Sequence, residues 1–256
     1  ILYWALPWPV AETAPGGGGM SVQACLNGAR RPGSHPTLPV TPAELARDAA
    51  LCRAAGAGTV HLHVRDHDGA ESLRPEYVVE TLTAVREAVP GMPVGISTGA
   101  WIPPYDQRLA AMAEWSVRPD FVSVNLSEAD APEVIALMQR QRIGVEAGLS
   151  SLGDVRRLLS LEPGNCLRFL VEMKATDFAA QREEAEEMIR RLLDAAPQVP
   201  VLLHGVDATA WGFVDMAVGK GLATRIGLED VLTLPDGSPS DNPRLVAEAV
   251  SRYPAI

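Results

Sequence analysis

The chain has 256 residues, 47% hydrophobic and 21% charged, with 22 basic and 32 acidic side chains and a formal net charge of -10. This is the composition of a globular protein, not of a disordered or coiled-coil one. The acidic balance excludes nucleic acid as the main partner, because neutralising phosphates needs a basic face. No apolar run reaches the roughly 18 residues of a membrane span, which excludes an integral membrane protein of the helical kind.

The first nineteen residues, ILYWALPWPVAETAPGGGG, begin with a short apolar stretch but lack the basic flank of a secretory signal. The Gly16 to Gly19 tract followed by Met20 looks like a junction, so residues 1–19 are expected to be an N-terminal extension outside the fold, with one domain spanning 20–256. Cys25, Cys52 and Cys166 are widely spaced and form no C-x-x-C pair. They read as small core residues of a cytoplasmic protein, not as a disulfide framework or a redox site.

From Met20 onward, short runs rich in Val, Ile and Leu alternate with helical patterns, the signature of repeated β-α units on a parallel sheet. Strands are predicted at 22–26, 59–64, 93–98, 121–126, 143–147, 167–173, 199–204 and 223–228. Thr41-Pro-Ala-Glu44 sets a capping hydroxyl, a first-turn proline and an N3 carboxylate in order, and Asp130-Ala-Pro-Glu133 repeats the pattern. Pro75 and Pro243 mark two further helix starts. Eight such units without a long linker predict a single-domain (β/α)8 TIM barrel. No G-x-G-x-x-G follows the first strand, which argues against an open dinucleotide-binding sheet.

Barrel chemistry sits at the carboxyl ends of strands. The second strand ends in HLHVRD, so His61 and His63, two apart on an extended segment, point to one side with Arg65 following them. Paired inward histidines at a strand end are a recurrent way of holding a transition metal. A third ligand is required, and the last strand offers Glu229 in RIGLED, with Asp230 beside it and expected to point the opposite way. His204, closing the seventh strand in LLHG, is either a rim residue or a substrate contact. His67 and His35 read as loop residues, Trp101 and Trp211 as possible pocket walls, and the run from Arg182 to Glu187 as an exposed helix face.

The segments PTLPVTPAELARDA, AGAGTVHLHVRDHDG, ISTG and RIGLED together resemble the β-keto acid cleavage enzyme family, across about residues 22 to 250. The resemblance implies a zinc-dependent barrel, one ion per chain, that converts a 3-keto acid and acetyl-CoA into acetoacetate and a new acyl-CoA. It implies His61, His63 and Glu229 as zinc ligands, Asp230 as general base and Arg225 as the partner of that base. Ser97, Ser123, Asn125 and Glu146 match polar positions around the substrate. At the position of a family glutamate that reads a substrate amine stands Ala29, and the neighbouring Arg30 is expected to meet a second carboxylate instead. The resemblance also implies a homo-oligomer, dimer or tetramer. Alternatives on the same barrel are a metal-dependent retro-Claisen or aldol lyase, an amidohydrolase-like hydrolase, and a binding barrel without turnover.

Overall fold

The computed structural model describes residues 21–161 and 165–254, so the expected extension at 1–19 lies outside the described residues. Eight parallel strands pair in sequence order and close on themselves: β1 (Val22–Cys25), β2 (Thr59–Leu62), β3 (Val94–Ser97), β4 (Phe121–Asn125), β5 (Gly144–Leu149), β6 (Arg168–Met173), β7 (Val201–Gly205) and β8 (Ala223–Ile226). Closure is made by β1 against β8, with Gln23 beside Arg225. The helices between and after them are α1 (Pro42–Ala54), α2 (Pro75–Ala88), α3 (Arg108–Ala113), α4 (Ala131–Gln141), α5 (Leu152–Leu159), α6 (Phe178–Ala195), α7 (Ala210–Gly219) and α8 (Asn242–Ser251).

The strand period of two divides the residues between two environments. Outward positions such as Val60, Leu62, Val94, Ile96, Val122, Val124, Val145, Phe169, Val171 and Leu203 are buried and form one core with the helices. Burial of this apolar layer, at about 25 cal/mol per Å2, is the main source of stability. Inward positions are largely polar. Along β6 they read Arg168, Leu170 and Glu172 from the bottom of the barrel to its mouth, and along β7 Leu202 and His204. Leu170, Leu202 and Ala223 form a small apolar cluster of their own inside the barrel. Below them Phe121 fills the room left by Gly95, where a Cβ would meet its ring at 1.9 Å.

The helix starts differ in an instructive way. Thr41 forms a complete capping box with Glu44, and Pro42 occupies the first turn. Such a cap stabilises a helix by about 1 kcal/mol. Asp130 also stands at the N-cap of α4 but makes no capping bond. Its carboxylate accepts instead from the buried Arg108 at 2.5 Å. A charge-assisted bond to a guanidinium is stronger than one to a backbone N–H, so the motif is diverted.

Candidate active site

At the mouth of the barrel the strands end earlier than the hydrophobic runs suggest, and side chains take over where the backbone ladder stops. β2 finishes at Leu62, so His63 lies just beyond it. The Asn27 amide replaces the missing strand neighbour: its Oδ1 accepts from the His63 N–H at 2.8 Å and its Nδ2 donates to the His63 carbonyl at 3.0 Å. His61 and His63 thereby keep one side, with ring centroids 5.5 Å apart and planes crossed at 83°. Arg65 does not join them. Its guanidinium donates to the carbonyls of Gly28, Arg30 and Gly69 and pins the loop after β1.

Beyond β8 the chain turns tightly, with Asp230 and Val231 N–H both donating to the Gly227 carbonyl. Gly227 is obligatory because a Cβ there would lie 2.0 Å from the Cys25 carbonyl oxygen. Gly28 combines a φ of +55° with a Cβ position 2.4 Å from Glu229 Cγ, so a side chain would both strain the backbone and displace the glutamate. Asn242 secures the same turn, accepting from Leu228 N–H at 2.6 Å and donating to the Leu26 carbonyl at 2.7 Å.

This turn overrides the expectation that Glu229 and Asp230 face opposite ways. Helical curvature brings both to one nitrogen of Arg225, at 2.8 Å for Glu229 Oε1 and 2.7 Å for Asp230 Oδ1. Glu229 also approaches both imidazoles: its Oε2 lies 3.8 Å from His61 Nε2 and its Oε1 3.6 Å from His63 Nε2. One ligand atom from each of the three residues lies within 4.8 Å of the others. Bonds of about 2.0–2.2 Å to a tetrahedral zinc would hold such atoms about 3.4 Å apart. The spacing fits a cation of that size. Glu229 Oε2 is buried without a hydrogen-bond partner, as a free ligand oxygen would be.

The electrostatics follow from placing charges in a closed space. Burial drives the His61 imidazole down to about 3, keeping it neutral with Glu229 opposing. For His63 burial acts the same way, but Glu229 and Glu71 outweigh it and lift the ring to about 9. Burial would raise Glu229, yet Arg225 and the two histidines hold it well below the usual carboxylate range. Asp230 is pushed up to about 7 by burial, against the pull of Arg225 and with Glu229 adding to the rise. Two adjacent carboxyl groups thus diverge, the pattern expected of a ligand beside an acid–base group.

These residues border a cavity of about 440 Å3 whose wall includes His61, His63, Ser97, Ser123, Asn125, Arg225, Glu229 and Asp230. Ala29 and Arg30 stand on one side of its mouth. Arg30 is paired with the exposed Asp207 at 2.9 Å. Glu146 is not brought to the cavity: Arg168 and Gln23 both donate to its Oε1 deep in the barrel, so its carboxylate is turned down and inward. His204 is fully buried between Asp230 Oδ1 at 3.5 Å and Glu172 Oε2 at 3.6 Å. Trp101 lines the cavity, whereas Trp211 donates to the Thr233 carbonyl and packs under Arg252. Sequence reasoning missed Asn27, Glu71 and Asn242. The turn-like Asn27-Gly28 pair was the one available hint.

Residues 20–254 match the sequence profile of the beta-keto acid cleavage enzyme family. The chain belongs to that family. A 3-keto-5-aminohexanoate cleavage enzyme from Fusobacterium nucleatum is 37% identical over 79 residues, 30% of this chain and 29% of the relative. A 3-oxoadipate:acetyl-CoA acetyltransferase from Cupriavidus necator is 31% identical over 98 residues, 38% of this chain and 34% of that one. The matched stretches thus span about a third of the length of these curated relatives. Among solved structures, ObcA in binary complex with oxaloacetate superposes with a TM-score of 0.65 at 17% identity, covering 84% of this chain and 63% of that one. A 3-dehydroquinate dehydratase from Geobacillus kaustophilus gives 0.60 at 13% identity, with 94% of each chain covered. Likeness at these identities is one of fold. No helix among the described residues is long and apolar enough to cross a membrane.

Proposed function

We propose that the protein is a zinc-dependent β-keto acid cleavage enzyme, taking a 3-keto acid and acetyl-CoA to acetoacetate and an acyl-CoA. The observation that carries this reading is the convergence of His61, His63 and Glu229 in one cavity with Asp230 on the next residue. Two imidazoles and a carboxylate are a donor set suited to zinc, and the bound ion would supply Lewis acidity toward substrate oxygens.

The protein's own groups account for the remaining steps. Asp230 removes a proton from C2 of the keto acid, and C2 attacks the acetyl thioester carbonyl, expelling the CoA thiolate. The thiolate then adds to the original C3 carbonyl. The C2–C3 bond breaks, releasing the acyl-CoA, and Asp230 returns the proton to C2 of the departing acetoacetate. Burial raises the Asp230 carboxyl, which matches it to this exchange better than an ordinary aspartate, since transfer in both directions needs both protonation states. Arg225 holds Asp230 in line through its 2.7 Å bond. Ser97, Ser123 and Asn125 orient the keto acid from the facing wall.

Ala29 supplies no carboxylate of its own for a substrate amine, while Arg30, held beside the cavity by Asp207, has a guanidinium that a second substrate carboxylate would share. The likeness to a 3-oxoadipate acetyltransferase supports a dicarboxylic keto acid. A panel of 3-keto acids with acetyl-CoA, followed by CoA ester exchange, tests the reaction. Exchange that requires the thioester is expected; equal keto-acid consumption without it would instead mark a lyase.

A further inference from the structure

The two histidines are held differently. His61 Nδ1 is buried without a hydrogen-bond partner. His63 Nδ1 lies 2.5 Å from Glu71 Oε1, while its Nε2 faces Glu229. Glu71 comes from the short segment after β2, where an isolated bridge to Arg65 fixes its backbone. It is not a member of the converging ligand group. Its second oxygen, Oε2, accepts from the indole Nε1 of Trp101 at 3.1 Å. Trp101 reaches over from the loop after β3 and stacks on His63, with centroids 6.4 Å apart and planes inclined at 28°. Although it lines the cavity, this indole is 47% exposed. The indole thus meets the carboxylate and the imidazole together.

We propose that Glu71 is the positioning residue for the metal centre: it holds His63 as the Nδ1–H tautomer so that Nε2 ligates, and Trp101 locks Glu71 in that orientation. The inference rests on the metal-binding reading given above. A carboxylate accepting from the far nitrogen of a ligating histidine fixes its tautomer and ring plane and strengthens it as a donor, and loss of such a partner weakens metal binding about 10- to 100-fold. The loop after β3 is thereby tied to the ligand set.

Zinc affinity, read by competition with a chromophoric chelator, separates this inference from the reading beneath it. Glu71→Ala is expected to weaken zinc binding by about 10- to 100-fold. Glu71→Gln, which keeps a carbonyl acceptor, should lose far less, and Trp101→Phe should fall between them. His61→Ala should abolish tight binding. If Glu71→Ala binds like the unaltered chain while His61→Ala does not, the positioning role is wrong and the metal site stands. If His61→Ala also binds unchanged, both fall. Nitrogen-15 NMR of the zinc-loaded, unaltered protein gives a test independent of any variant's folding. A protonated Nδ1 and a ligated Nε2 on His63 are expected, and the reverse assignment overturns the proposal.

Discussion

Two charged clusters share the inside of this barrel, and they are built on opposite plans. Near the amino ends of the strands, Glu146 receives Arg168 and Gln23, and Arg168 lies over the Phe121 ring at 5.2 Å. One carboxylate meets one guanidinium there, in contact with apolar packing, and one atom, Glu146 Oε2, is left buried without a hydrogen-bond partner. At the carboxyl ends Arg225 serves two carboxylates at once, while His204 Nδ1 and Nε2, Asp230 Oδ2 and Glu229 Oε2 are buried without hydrogen-bond partners. A buried polar atom left unpaired costs about 1–3 kcal/mol, so the upper cluster is kept at the expense of stability. The difference teaches where the fold is held and where we place the chemistry: the lower cluster is a plug that leaves one oxygen unpaired, whereas the upper one leaves several polar atoms unpaired, with Glu229 and Asp230 on the cavity wall.

If that division is right, substitutions in the upper cluster should strike turnover and spare the fold. Asp230→Asn keeps an acceptor for Arg225 but removes the proposed base, and CoA ester exchange should fall by about 10²–10⁴, with a melting temperature that is not lowered. A variant that unfolds, or one that retains its rate, breaks the contrast. Below, the reverse is expected. Arg168→Met leaves Glu146 buried with Gln23 alone, and urea unfolding should register a loss of about 3–5 kcal/mol while zinc affinity is kept. Little loss of stability would mean that the plug is not the structural half of the pair.

A third test lies outside the barrel, behind the turn that carries Glu229. Asp48 accepts from Asn242 at 2.6 Å, and burial pushes its carboxyl from 3.8 up to about 6 against that bond. The folded state therefore binds more protons than the unfolded chain between these values. Asp48 costs nothing below the unfolded value, and its penalty grows as pH rises through the window, to at most about 3 kcal/mol above it. Asp48→Asn should thus gain on the unaltered protein in urea between pH 4 and pH 7. A stability difference that ignores pH would contradict the assignment. The smallest effect is expected at the mouth: Arg30→Met should reduce the preference for keto acids bearing a second carboxylate by about 10- to 100-fold, the scale of one charged hydrogen bond. Specificity constants across the substrate panel measure it.

The sequence carried most of the architecture because hydrophobic period and helix-start chemistry are local. All eight predicted strands are present within a few residues of their expected bounds. It pointed to the three side chains that converge, His61, His63 and Glu229, for the same reason, since H-x-H on an extended segment and the carboxylates after RIGL are short patterns. What stayed hidden depends on distance along the chain. Asn27 meets His63 across 36 residues and Asn242 meets Leu26 across 216, and no spacing rule announces a side chain standing in for a strand. Glu146 illustrates the converse: its place on an inward strand face was readable, but not that Arg168, its lateral neighbour on β6, would turn it away from the cavity. Asp130 was lost as a cap to Arg108 in the same manner.

X-ray absorption at the zinc edge of the zinc-loaded protein tests the proposed His61, His63 and Glu229 site most directly. Two imidazole nitrogens and a carboxylate oxygen at about 2.0–2.2 Å are predicted, with an open position for substrate. A first shell containing sulfur, or lacking imidazole scattering, would contradict the account.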